Sequence, residues 1–171
     1  MNLIIISSSL SKKSQSRIMA EYIFNHLSSK EINTEMVDLR DYDLPLCDGD
    51  ENSNTPIVKD LRSKISNAQG VLIATPVYNY NINASLKNLI ELTGSAWRNK
   101  IIGFICSAGG KNSYMSVMSL ANSLMLDFRC IIIPRFVYFD DESGQLDELI
   151  EKRLDQLCSE LIHFVKGLKS E

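Results

Sequence analysis

Glycine is scarce in this chain: it has eight among 171 residues, and none before residue 49. Walker-type phosphate loops and dinucleotide fingerprints need glycines directly after the first strand, for a tight turn and close approach of the backbone to phosphate. Both motifs are therefore excluded at the N-terminus. A phosphate bound there must be held by other residues.

Cysteine and histidine are also sparse, with four and two residues. The cysteines form no C-x-x-C pair, which predicts reduced thiols and a cytoplasmic protein. They are Cys47, Cys106, Cys130 and Cys158. His26 and His163 stand alone on helical patterns, so we expect no metal site and no Ser-His hydrolase.

Excess positive charge and long apolar runs are lacking as well. The net charge is −3, which argues against a nucleic-acid partner. The N-terminal apolar run is too short for a signal peptide or a membrane span, so we expect no membrane partner. With 44% hydrophobic and 23% charged residues, the composition predicts one globular domain over residues 1–171.

Five apolar runs alternate with five amphipathic stripes along the chain. The predicted strands are residues 3–7, 34–39, 70–75, 100–107 and 130–134. The predicted helices are residues 14–29, 55–65, 84–93, 114–125 and 146–165. This alternation predicts an α/β fold, a flavodoxin-like three-layer sandwich. We expect a five-stranded parallel sheet in the order 2-1-3-4-5 with helices on both faces.

The loop after the first predicted strand is rich in hydroxyl groups, since five of residues 7–14 are serine. It leads into a helix N-terminus, whose free N–H groups and dipole attract anions. Phosphate oxygens would accept hydrogen bonds from the hydroxyls of Ser9, Ser11, Ser14 and Ser16. Lys12, Lys13 and Arg17 are near enough to assist. The alternative is a solvated turn in which Ser14 only caps the helix.

Two further loops leave predicted strand ends. Residues 75–83 contain two tyrosines and three asparagines, able to stack on and hydrogen-bond a planar heterocycle, or else to form an aromatic turn over the core. Residues 107–110 contain adjacent glycines, which permit positive φ and close backbone approach to a ligand, or form a plain turn. Because ligands of such sheets bind at the carboxyl ends of strands, the three loops predict a mononucleotide site with a large planar head group.

Three segments of the chain have a familiar form. They are residues 38–46, DLRDYDLPL, residues 72–79, LIATPVYN, followed by SLKN at 85–88, and residues 107–110, SAGG. They resemble, in turn, the connector DLRDLPLP, the signature PEYN…LKN and the third flavin loop of the NADPH-dependent FMN reductase family of flavodoxin-like proteins. The resemblance covers roughly residues 1–138, in order and with the expected spacing.

The resemblance implies FMN as cofactor, with its phosphate in the first loop and its ring against the other two. The implied cofactor-binding residues are Ser7, Ser9, Ser11, Ser14, Gln15, Ser16, Pro76, Val77, Tyr78, Asn79, Tyr80, Ser107, Gly109 and Gly110. The chain departs from the family pattern at six positions. A glycine, an arginine, an asparagine, an acid, a glycine and a proline are replaced, in that order, by Ser8, Ser11, Ser16, Val77, Tyr80 and Asn83.

The implied activity is hydride transfer from NADPH or NADH through bound FMN to a flavin, quinone or similar small acceptor. The flavin supplies the chemistry, so no catalytic side chain is expected. Tyr80 and Asn81 would shape the acceptor pocket. The family also implies a homodimer or a dimer of dimers, with Tyr80 and Trp97 as candidate contacts. For Trp97, packing in the core is an equal alternative.

Three other functions use the same scaffold. A flavodoxin-like electron carrier generally needs a strongly acidic docking face, and a net charge of −3 offers little. A flavin-free binding module stays open. A phospho-acceptor receiver domain needs acids after the first strand and an aspartate ending the third, where this chain has serines and Thr75-Pro76.

Overall fold

The computed structural model describes residues 1–140 and 145–168. Seven strands in these residues form one sheet. They are β1 Asn2–Ser7, β2 Asn33–Asp38, β3 Gly70–Tyr78, β4 Asn81–Ile82, β5 Ile101–Ser107, β6 Ile131–Ile132 and β7 Val137–Phe139. The parallel order is β2-β1-β3-β5, with β6 and β7 both against the far side of β5. The predicted order is therefore confirmed, but the predicted count of five strands is too low.

The predicted strand at residues 130–134 corresponds to β6 alone, and β7 was missed. β6 pairs with β5 at Ile102↔Ile132, whereas β7 pairs at Ile105↔Val137, two residues further on in register. Pro134 lies between them and has no N–H to continue the ladder. The chain therefore leaves β5 at the proline and rejoins it after two extra residues.

The third strand runs further than expected. The prediction ended it before Pro76, but β3 continues through this proline to Tyr78. The pairing of β3 with β1 ends at Ser7↔Ala74, so the missing N–H of Pro76 interrupts no ladder on that side. Beyond it, Val77 and Tyr78 pair antiparallel with β4 to form a hairpin.

Helices cover both faces of the sheet. They are α1 Gln15–Ser29, α2 Pro56–Asn67, α3 Ala84–Thr93, α4 Met118–Phe128 and α5 Glu148–Gly167. Side chains of a strand alternate between faces, so Ile4 and Ile6 pack with α2, α3 and α4, whereas Leu3 and Ile5 pack with α1 and α5. Because the sheet is buried on both faces, its strands are continuous apolar runs.

Trp97, for which the sequence left a dimer contact and core packing open, lies in the core. Its side chain is fully buried, and its indole Nε1–H donates to Thr93 Oγ1 at 2.8 Å. It is therefore unavailable to a partner subunit. Over residues 1–140 and 145–168, no helix combines the length and apolar character that a membrane crossing requires.

Candidate functional site

A cavity of about 270 Å³ lies where the chain leaves the carboxyl ends of β1, β3 and β5. These three strands are neighbours in the sheet, so the loops that follow them meet at one edge. The cavity is lined by Ser9, Ser11, Lys13, Ser14, Gln15, Pro76, Val77, Tyr78, Ser107, Ala108 and Gly109. Nine of the fourteen residues predicted for the site are in this wall.

The other five predicted residues lie behind or beside the wall. Ser7 is buried within β1, and Ser16 is buried with its Oγ 3.1 Å from Ser14 Oγ. Gly110 follows the wall residue Gly109, and its carbonyl accepts a hydrogen bond from the Tyr138 hydroxyl. The remaining two, Asn79 and Tyr80, form the hairpin tip between β3 and β4.

Two wall residues were not among those predicted, Lys13 and Ala108. From the sequence, Lys13 was expected only to assist phosphate binding by the first loop. Ala108 lies between two predicted residues, and alanine carries no chemical signal by which the sequence alone would single it out.

The loop between β1 and α1 holds its serine side chains in a regular pattern. Ser9 Oγ accepts from the Ser11 N–H at 3.3 Å, Ser11 Oγ from the Lys13 N–H at 3.2 Å, and Ser14 Oγ from the Arg17 N–H at 3.1 Å. Ser14 is therefore the N-cap of α1 as well as a wall residue. The hydroxyls of Ser9 and Ser11 accept from the backbone and keep their own protons for a further acceptor. Ser14 Oγ also lies 3.1 Å from Ser16 Oγ, and either of these two hydroxyls can donate to the other.

The charges around this loop favour an anion. The first turn of α1 contains no acidic residue, so nothing offsets the positive end of the helix dipole. Lys13 is in the cavity wall. Arg17 is held elsewhere, with its guanidinium 2.6 Å from Glu21 Oε1 and 2.9 Å from Asp38 Oδ2. Attraction at the wall therefore comes from hydroxyls, helix N–H groups and one lysine.

One polar atom in the wall has no partner. Gln15 Oε1 is buried and accepts no hydrogen bond, and the same is true of the hydroxyl of Ser7 nearby in sequence. A buried acceptor without a donor is costly, at about 1–3 kcal/mol. A bound molecule with hydroxyl groups would satisfy it.

The glycine pair after β5 leaves room for a ligand. A Cβ added at Gly109 or Gly110 would meet no heavy atom within 4 Å. The sequence suggested that these glycines allow a positive φ, but neither has one. Gly110 is in an extended conformation, with φ −177°. The open space beside the backbone, rather than an unusual φ, is what these glycines provide.

The β3–β4 hairpin turns on two residues that are not glycine. Asn79 and Tyr80 have φ values of 51° and 59°, as in a type I′ turn. Asparagine tolerates this region, but a bulky residue such as tyrosine is strained there. Tyr78, a wall residue, is 52% exposed, and Tyr80 at the hairpin tip is 66% exposed.

Within the described residues, no group of three or more histidine, cysteine, aspartate or glutamate side chains is arranged to hold a metal ion. The polar groups that line the cavity are instead serine hydroxyls, a glutamine amide, a lysine and accessible backbone at Gly109. These groups suit an uncharged ring carrying a hydroxylated chain and a phosphate.

Comparisons with known proteins show the family of this chain. A family model described as NADPH-dependent FMN reductase matches residues 1–144. An NAD(P)H-dependent FAD/FMN reductase of Geobacillus thermodenitrificans is 30% identical over 150 residues, covering 82% of this chain and 80% of the relative. An NADPH azoreductase of a Bacillus species is 26% identical over 174 residues, covering 99% and 95%.

Solved structures share the fold. An NADH:FMN oxidoreductase in its apo form has a TM-score of 0.79 at 19% identity, covering 99% of this chain and 91% of the other. An archaeal flavodoxin has a TM-score of 0.68 at 15% identity, covering 97% and 99%. The flavodoxin-like fold is thus confirmed, and the chain belongs to the NADPH-dependent FMN reductase family.

Proposed function

We propose that this protein is an FMN-dependent NAD(P)H oxidoreductase that passes hydride from NADPH or NADH to a flavin, quinone or similar small acceptor. The observation that carries the proposal is the cavity itself. A hydroxyl-rich helix N-terminus, a tyrosine-bearing strand end and an open glycine backbone converge there, in a chain of the FMN reductase family.

The first loop would hold the FMN phosphate. Ser9 and Ser11 keep hydroxyl protons to donate, and Ser14 keeps its own when the Ser16 hydroxyl donates to it. The first-turn N–H groups of α1 have no carbonyl partner within the helix. Lys13 supplies positive charge at the wall. Ser7 and Ser16 support this loop from the buried side.

The ring would lie against the other two loops. Pro76, Val77 and Tyr78 border it along one edge, with Asn79 beside them. The pyrimidine end of the flavin ring would lie against Ser107, Gly109 and Gly110. Gln15 Oε1, a buried acceptor without a donor, would accept a hydrogen bond from a hydroxyl group of the ribityl chain.

FMN, when bound, supplies the hydride-accepting chemistry, and the protein needs no acid, base or nucleophile of its own. The side chains bind and orient the cofactor. Tyr80 and Asn81, which follow the wall residue Tyr78 in the β3–β4 hairpin, would shape the acceptor pocket. We further propose a cytoplasmic homodimer or dimer of dimers in which Tyr80 contacts the partner subunit.

Titration with FMN, followed by NADPH and NADH oxidation with a soluble quinone or free flavin, tests the function. We expect binding at micromolar FMN and steady oxidation of the nicotinamide. A protein that binds no FMN at that concentration would overturn the proposal. A holoprotein that binds FMN without oxidising either nicotinamide would instead be an electron carrier or a binding module.

The phosphate placement has a matched pair of cap variants. Ser14 caps α1 and Asp147 caps α5, where its carboxylate accepts from the Ile150 N–H at 2.8 Å. Both alanine variants lose an N-cap, worth about 1 kcal/mol of stability. We expect only Ser14→Ala to weaken FMN binding, by roughly fivefold for one lost hydrogen bond. Equal FMN affinity in both variants would contradict the placement.

A further inference from the structure

A buried group of polar side chains joins the first two loops behind the cavity. Its centre is Asn83, which is 5% exposed and stands just before α3. Although Asn83 is at the N-cap position, its side chain makes no capping hydrogen bond to α3. The amide reaches instead across the sheet edge to Ser8, 75 residues away in sequence.

Every hydrogen-bonding position of the Asn83 amide is used. Its Oδ1 accepts from Ser8 Oγ at 2.9 Å and from Thr75 Oγ1 at 3.1 Å. Its Nδ2 donates to the Ser8 carbonyl and to Ser85 Oγ, both at 2.6 Å. Ser85 Oγ then donates to the same Ser8 carbonyl at 2.6 Å. An amide has two donors and two acceptor positions, so each position has a partner. The Ser8 hydroxyl also lies 3.2 Å from the Ala74 carbonyl and the Thr75 hydroxyl 3.2 Å from the Pro76 carbonyl, so each of these protons is shared between two acceptors.

These partners are the residues next to the cavity wall rather than the wall itself. Ser8 directly precedes Ser9 of the first loop, and Thr75 directly precedes Pro76 of the second. Each link of the group therefore acts on the spacing between the serine-rich loop and the loop after β3. Asn83 sits between them and does not line the cavity.

We propose that Asn83 is a positioning residue that holds the two loops at the separation that FMN requires. The inference rests on the proposed function. A site whose loops are already ordered binds its ligand without the entropic cost of ordering them. Without the amide, the loops would sample other separations, and FMN affinity would fall although no atom contacting FMN had changed.

Asn83→Asp tests this with almost no change in shape. The carboxylate keeps two acceptors but loses both donors, and it places an oxygen against the Ser8 carbonyl, where the amide nitrogen is now 2.6 Å away. Protonation of the carboxyl restores one donor. The ratio of variant to wild-type FMN dissociation constants should therefore depend on pH. Titration of the FMN phosphate affects both constants equally, so it cancels in the ratio.

Asn88 provides a matched control on the same helix. Its amide also joins distant segments, accepting from the Cys47 N–H at 2.8 Å and donating to the Pro45 carbonyl at 2.9 Å. That loop contributes nothing to the cavity wall. Asn88→Asp thus disturbs an equivalent amide link away from the site.

The experiment measures FMN dissociation constants and thermal midpoints of the full chain. For Asn83→Asp near neutral pH we expect about tenfold weaker FMN binding, from the loss of two hydrogen bonds. As the pH falls and the carboxyl is protonated, one donor returns, so the ratio should fall to about threefold. Asn88→Asp should shift the midpoint and leave FMN affinity unchanged. The milder Ser85→Ala, expected to weaken FMN roughly threefold, serves if Asn83→Asp does not fold.

Two results would overturn the inference. One is wild-type FMN affinity in Asn83→Asp, or in Ser85→Ala if Asn83→Asp does not fold. The other is equal weakening in Asn83→Asp and Asn88→Asp, which would show a general loss of order. Failure of the wild-type protein to bind FMN is a different outcome, since it refutes the proposed function.

Discussion

Replacing Tyr80 by glycine should make the protein more stable, although it removes an aromatic side chain. Tyr80 has φ 59° in a two-residue hairpin turn, beside Asn79 at φ 51°. A side chain with a Cβ costs about 1–2 kcal/mol in this left-handed region. Such a turn favours the Asn-Gly sequence, which Tyr80→Gly would create.

Two effects oppose this gain in stability, and their sizes decide whether Tyr80→Gly raises or lowers the free energy of unfolding. Glycine loses more conformational freedom on folding, which costs about 0.5–1 kcal/mol. The tyrosine ring is 66% exposed, so its removal sacrifices little buried area. The balance predicts that Tyr80→Gly raises the free energy of unfolding by roughly 0.5–1 kcal/mol.

Urea unfolding followed by circular dichroism measures this difference, with Tyr80→Ala and Tyr80→Phe as controls. Alanine removes the ring but keeps the Cβ, so Tyr80→Ala retains the backbone strain and should be no more stable than wild type. Phenylalanine keeps both ring and strain. The reasoning is refuted if Tyr80→Gly is no more stable than Tyr80→Ala. The proposed acceptor role adds that glycine and alanine, but not phenylalanine, change the KM for the acceptor.

Further predictions concern two glycines and the thiols. Gly103→Ala should destabilise the fold by about 1–3 kcal/mol in urea unfolding, because its Cβ would come within 2.9 Å of Leu157 of α5. Gly109→Ala, which meets nothing within 4 Å, should leave stability unchanged and weaken FMN binding in a titration. A thiol reagent should label Cys47 rapidly and the other cysteines only after unfolding, and a second fast thiol would contradict the structure. Burial raises the thiol pKa to about 12 at Cys106 and Cys158 and to about 11 at Cys130. Since the ordinary thiol pKa is 9.0, the unfolded chain releases these protons first, and the free energy of unfolding should fall as pH rises from about 9 toward 12. Denaturant midpoints across that range, compared with those of Cys158→Ala, measure the slope.

The elements that the sequence located correctly are those specified by local pattern. The apolar run at residues 3–7 and the stripe of α1 depend on which side chains repeat along a short segment, and so does the Thr55-Pro56 start of α2. Adjacency of three polar loops then follows from the strand order, because parallel strands place their carboxyl ends at one edge. Local pattern thus predicted where a site would be.

The parts that the sequence missed depend on distant partners. β7 is a three-residue strand that owes its pairing to β5 after the break at Pro134. The passage of β3 through Pro76 depends on β1 having ended its pairing at Ala74. A short segment of sequence predicts neither feature. β7 depends on the presence of a neighbouring strand, and the path of β3 through Pro76 depends on the absence of one.

By itself, then, the sequence determined the α/β class, the strand order and the three loops of the site, since these follow from short-range periodicity and from the residue types at strand ends. Only the tertiary structure decided which serines face the cavity, that Trp97 belongs to the core, and that the Asn83 amide bonds to Ser8. Such contacts join residues far apart in the chain, so they depend on packed distances that no local pattern contains.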